Sequence, residues 1–166
     1  MSDASTATLL ETIGSGLARD YGLFAERLHA LVEDVSEEEF WTRPYPYGNS
    51  IGHLVLHVTG NLNYYIGTQI AGTGYVRDRP LEFTDTSRRP KAEVLRALDE
   101  AVAMVTATVR AQSAEDWSKP YTAVGANAAD RFGTILRSAE HFFHHLGQIV
   151  YLTREHARLR EARSQQ

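Results

Sequence analysis

Five of the seven histidines in this chain fall into two groups whose spacing suits a shared ion. His53 and His57 are four residues apart; so are His141 and His145, with His144 beside them. On a helix, residues four apart project from one face, so each pair aims two imidazoles in one direction. Two imidazoles do not complete a tetrahedral or larger coordination shell; at least a third ligand is needed, and a facing helix of a bundle can supply it. One such pair is ordinarily a set of surface or hydrogen-bonded histidines. Two groups on two helices, in a chain without cysteine, set an ion site level with that plainer reading.

Angular position separates His53 from His57. At about 100° per residue, the apolar stripe of their helix centres near Ile51, Val58 and Gln69. His57 lies roughly 120° from that centre and Asn61 roughly 80°, on flanks that a neighbouring helix can reach. His53 lies near 160°, which predicts a side chain closer to solvent. The same count puts His141, His144 and His145 about 100° or more from the apolar centre of their own helix. That position fits a solvated face and a polar cleft equally well.

The elements that must position these residues are helices. Ile13, Leu17, Tyr21, Phe24, Leu28 and Leu31 recur by threes and fours and predict a long amphipathic helix over residues 6–31. Ser36 with Glu37, Glu38 and Glu39 predicts a capped short helix ending before Arg43-Pro44. Asn49 or Ser50 caps a second long helix with Ile51, Leu54, Val55, Val58, Leu62, Tyr65 and Gln69 on one side, stopping near Gly72-Thr73-Gly74. Residues 73–89 form a long polar connection without a period. After Pro90, Val94, Leu98, Val102, Val105 and Val109 mark a third helix, and residues 113–130 form a second long connection. The last helix runs from about Arg131 to beyond Arg154, with Ile135, Leu136, Ala139, Phe142, Phe143, Leu146, Ile149 and Val150 inward; the charged tail after His156 is expected to fray. No stretch alternates as a strand. Four long helices with two long connections predict an all-α four-helix bundle.

Composition narrows the function classes. The 166 residues (18.6 kDa) suit one domain over 1–166, and 43% hydrophobic with 23% charged residues is the balance of a globule. The absence of cysteine excludes disulfides, thiolate metal sites and cysteine nucleophiles. A net charge of −4 and pI near 6.0 offer no footprint for nucleic acid. No apolar run reaches the length of a membrane span, and Met-Ser-Asp-Ala-Ser-Thr lacks the features of a signal peptide, so cytoplasm is the default. There is no His-Glu-x-x-His element, no phosphate-binding Gly-rich loop and no Gly-x-Ser-x-Gly elbow. Glu140 precedes His141 directly, which does not make the paired Glu-x-x-His of di-iron bundles.

The stretch Ser50-Ile51-Gly52-His53-Leu54-Val55-Leu56-His57, followed by Val58-Thr59-Gly60-Asn61, resembles the second-helix motif of the DinB-like superfamily. His141-Phe142-Phe143-His144-His145-Leu146-Gly147-Gln148 resembles its fourth-helix motif, His-x-x-x-His-x-Gly-Gln. The Asn49-Ser50-Ile51 opening, Gly60-Asn61 and Val76-Arg77-Asp78-Arg79 look like an uncharacterised branch of that superfamily. The resemblance implies an up-down-down-up bundle with a long crossover and a divalent ion, usually zinc or nickel, on His57, His141 and His145. His53 and His144 match no ligand position. Some members are transferases or isomerases that use a low-molecular-weight thiol, and homodimers are common.

Three neutral imidazoles leave at least one position open, the mark of a catalytic site. Asn61 and Gln148, each about one turn from a ligand, are candidates to orient an imidazole or bind a substrate. Gly147 is expected to allow close helix packing. The expected function is a metal-dependent enzyme of thiol-transferase or hydrolase type. The alternatives are a non-catalytic metal or small-ligand binding protein on the same scaffold, and a bundle whose histidines carry no ion.

Overall fold

The first helix forms because its apolar residues repeat at the helical period, and the fold buries that stripe. The computed structural model describes residues 3–123, 125 and 128–165. In α1 (Asp3–Val32), Tyr21, Ala25, Leu28 and Val32 enter the core, with Ile13, Leu17, Phe24 and Leu31 packed against it. The Tyr21 hydroxyl donates to the Ile135 carbonyl at 2.7 Å, which satisfies the one polar atom that this stripe buries.

Local chemistry sets the helix starts. Ser36 and Glu39 form a reciprocal capping box at α2 (Glu37–Trp41), whose Phe40 and Trp41 are buried. Trp41 lies so close to the next helix that a Cβ on Gly52 would come within 2.7 Å of its ring. Ser50 caps α3 (Ile51–Leu62) by accepting from the His53 N–H. The helix then widens into a π-helical segment, Asn63–Ala71, closed by Gly72 in the left-handed region at φ 71°. A π turn holds more residues than an α turn, so spacing extrapolated at 3.6 loses phase here. Gln69, expected inward, is therefore exposed, and Ile66 is fully buried.

Both long connections contain a helical turn that their composition hid. α4 (Leu81–Thr84) lies in the first and packs on α3; α6 (Ala114–Ser118) lies in the second, with a Ser113–Asp116 capping box. Between them runs α5 (Lys91–Arg110), with all five expected valines and leucines buried. α7 (Arg131–Ser164) starts where Asp130 accepts from the Gly133 N–H at 2.7 Å. Its core face carries Ile135, Ala139, Phe142, Leu146 and Ile149, whereas Leu136 and Phe143, expected inward, face out. The tail does not fray at His156. It stays helical to Ser164, where His156 is 2% exposed and Arg160 holds Glu39 at 2.8 Å.

The fold is an all-α four-helix bundle. α1 packs on α5 and α7, and α3 packs on the same two. Consecutive α1 and α3 thus lie diagonally, and α3 and α7, which carry the histidine groups, are neighbours. The described residues contain one isolated β-bridge, Pro120 to Asp130, and no strand.

Candidate metal centre

The packing of α3 on α7 brings His57 into one cluster with His141, 84 residues later, and with His145. His57 Nε2 lies 3.0 Å from His141 Nε2. Ring centroids are 4.8 Å apart for His57 and His141, 4.9 Å for His57 and His145, and 4.4 Å for His141 and His145. One nitrogen from each lies within 4.8 Å of the other two. Metal–nitrogen bonds of about 2.0–2.1 Å in a tetrahedron put ligand nitrogens about 3.3 Å apart, so this donor set fits a divalent ion with small side-chain adjustments.

Two of the imidazoles are held from behind. The Glu82 carboxylate, on α4, accepts from His57 Nδ1–H at 2.7 Å, which leaves the Nε2 lone pair directed at the cluster. Arg77 grips both Glu82 oxygens at 2.6 and 2.9 Å, and all three side chains are buried. Burial acts to raise the Glu82 carboxyl, but the hydrogen bonds from His57 and Arg77 outweigh it and hold the group below its ordinary range. On α7, Gln148 Oε1 accepts from His145 Nδ1–H at 2.7 Å, and its amide nitrogen reaches His144 Nε2 at 3.2 Å. Burial and the neighbouring imidazoles push His141 down to about 4. Burial likewise takes His145 to about 4, against the hydrogen bond that it donates to Gln148. Both are neutral near pH 7, the form that a metal ligand requires.

His53 differs from its expectation. It is 7% exposed and not near solvent. Its Nδ1 accepts from the Ser50 hydroxyl at 2.6 Å, its Nε2 donates to the Asp85 carbonyl at 3.0 Å, and Trp41 meets its ring edge-on at 5.4 Å. The side of the helix opposite its apolar stripe is not open, because α2 and the 73–89 connection cover it. Both ring nitrogens are committed, and His53 stands outside the cluster. His144 is exposed; it meets the His145 ring edge-on at 5.1 Å between centroids and bonds to Gln148, but it stands outside the three-nitrogen cluster. Gly147 is exposed and meets nothing within 4 Å, so it is no packing glycine within the chain.

Asn61 is buried one turn after His57 and lines a cavity of ≈ 240 Å³ beside His57 and His141. Tyr65, Arg77 and Thr134 form other parts of its wall. Glu82 was invisible to sequence reasoning, since it sits in a connection without a period. The one available signal was Gly60, a glycine inside a helix three residues after a candidate ligand: its missing side chain is where the Glu82 carboxylate lies.

A diagonal four-helix bundle with three imidazoles converging between α3 and α7 defines a helical protein with a candidate metal centre. Residues 23–149 match the family model of the DinB superfamily, and the chain belongs to that superfamily. Among solved structures it is similar to a conserved protein from Enterococcus faecalis, at 17% identity, with a TM-score of 0.71 over 86% of this chain and 96% of that one. That likeness concerns the fold. No functionally curated protein matches the chain.

Proposed function

We propose that His57, His141 and His145 bind one divalent ion, zinc or nickel, and that the protein is a metal-dependent enzyme of thiol-transferase or hydrolase type. The observation that carries the reading is the convergence of three imidazole nitrogens within 4.8 Å, with Glu82 and Gln148 behind His57 and His145. Structural histidines have no need of that arrangement, whereas metal ligands commonly have it. An ion held there supplies Lewis acidity, which brings the proton of a water or of a low-molecular-weight thiol into the neutral range.

The protein's own residues do the rest. Glu82 fixes the His57 tautomer, Arg77 keeps Glu82 ionised, and Gln148 fixes the His145 tautomer. The cavity beside His57 and His141 gives a small molecule access to the open side of the three-imidazole set, which favours an enzyme over a closed binding site. A cytoplasmic homodimer belongs to the same proposal. Exposed Leu136, Phe143 and Tyr151 around Gly147 on α7 support the second copy.

Elemental analysis of protein purified without chelator is the first test, with one equivalent of ion per chain expected. A content well below one equivalent, even after refolding with zinc or nickel, overturns the site. Thiol transfer to an electrophile, or ester hydrolysis, by the loaded protein then separates the enzyme from the non-catalytic metal-binding protein.

A further inference from the structure

The cavity beside His57 and His141 carries a charge at odds with the chain as a whole. The protein has a net charge of −4, yet Arg77, Arg79 and Arg137 all face this cavity and no carboxylate is among its described lining residues. Arg77 is spent on Glu82. The other two have no acidic partner among the described residues. Arg79 is held with its guanidinium over the Phe83 ring, 5.5 Å from the centroid, which steadies the group while leaving its N–H edge open.

A second, independent observation concerns Asn61. It is 8% exposed, lines the same cavity, and makes no side-chain hydrogen bond among the described residues. Buried amides are ordinarily paired, and an unpaired one that faces a cavity is available to a ligand. Its two N–H donors and the two guanidinium forks make a donor-rich wall suited to an oxyanion.

We propose that this cavity binds the oxyanion of a small organic substrate, a carboxylate or a phosphate, between Arg79 and Arg137, with the Asn61 amide as a further donor. At ≈ 240 Å³ the cavity is smaller than the pockets that take drug-sized ligands, so the substrate is a small acid of a few carbons and not a nucleotide. That this anchoring turns the reactive end toward His57 and His141 rests on the three-histidine reading. The anion site itself rests on the arginines and Asn61 alone.

The test is titration calorimetry at low ionic strength, with succinate and inorganic phosphate as probes. The zinc-treated wild type is compared with Arg79→Gln/Arg137→Gln, with Arg79→Lys/Arg137→Lys, and with Arg27→Gln, an exposed arginine on α1. The wild type and Arg27→Gln are expected to bind a probe at one per chain. The double Gln variant should bind at least 10-fold more weakly and the double Lys variant in between, with zinc content equal throughout. Tighter succinate binding assigns a carboxylate, and tighter phosphate binding assigns a phosphate ester. No probe binding, or equal binding by the double Gln variant, overturns the anion site. If zinc does not load, the three-histidine reading fails, and the same titrations on metal-free protein still decide the anion site by its arginine dependence.

Discussion

Gly60 and Glu82 compete for one volume: a Cβ on Gly60 would overlap the Glu82 Oε1 and come within 2.8 Å of its Cδ. The glycine sits inside α3, where alanine is preferred by about 1 kcal/mol. Its presence makes room for the carboxylate that orients His57.

Gly60→Ala should therefore improve the local helix and damage the site. The displaced carboxylate no longer accepts from His57 Nδ1–H, and affinity for zinc should fall about 10–100-fold. Competition with a chromophoric chelator measures it, and Glu82→Gln should give a similar loss with α3 unchanged. Wild-type affinity in both variants would show that Glu82 does not tune the ligand.

Alanine at His57, His141 or His145 should each strip the ion, whereas His144→Ala should retain it. His144 contributes a bond to Gln148 and an edge-on ring contact to His145, and the bond between Gln148 and His145 survives without it. Metal content after gel filtration reads the difference. An ion retained by His145→Ala and lost by His144→Ala would reverse the assignment on α7.

His53→Ala should leave metal content unchanged and destabilise the fold by about 2–4 kcal/mol. It empties a buried site against Trp41, takes away the acceptor of the Ser50 hydroxyl proton and leaves the Asp85 carbonyl without its donor, while the Ser50 cap on the backbone N–H of residue 53 remains. Chemical denaturation of the metal-free protein checks this. A loss under about 0.5 kcal/mol would mean that the loop over His53 contributes little.

The metal-free protein should lose stability as pH falls from about 6.5 toward 4. Burial lowers His53, His141, His145 and His156 in the fold, so the unfolded chain takes up protons first and acid favours it. These groups cost nothing above the unfolded pKa, where both states are neutral, and the penalty is complete once pH passes below the folded values. Melting temperatures across this range should decline. A flat profile would mean that these imidazoles are solvated.

The bundle was legible because it obeys the helical period; the same period grouped the histidines, and the DinB-like motifs selected His57, His141 and His145 from them. Four-residue spacing put His141 and His145 on one face, and the flank position of His57 pointed it toward a neighbouring helix. What escaped lies where the period stops. Glu82, Arg79 and α4 sit in a polar connection whose path follows from contacts distant in sequence. Gln69 was misplaced by the π-helical segment, and His53 by a loop that covers the side assigned to solvent. The helical tail was hidden by its charge, because the Glu39–Arg160 pair that anchors it spans 121 residues.

Glu82 reaches His57 from a connection and not from the bundle's long helices. Such segments open at a lower free energy than the bundle's global unfolding. Each opening removes the acceptor behind one ligand and leaves α3 and α7 packed, so the ion is held more tightly by the closed form. By reciprocity the ion must favour closure by the same factor. Amide hydrogen exchange should accordingly slow on zinc addition at Phe83 and Asp85, whose N–H groups bond to the Pro80 and Leu81 carbonyls. The connection would then report occupancy of a site to which it contributes no ligand, with a timescale of its own.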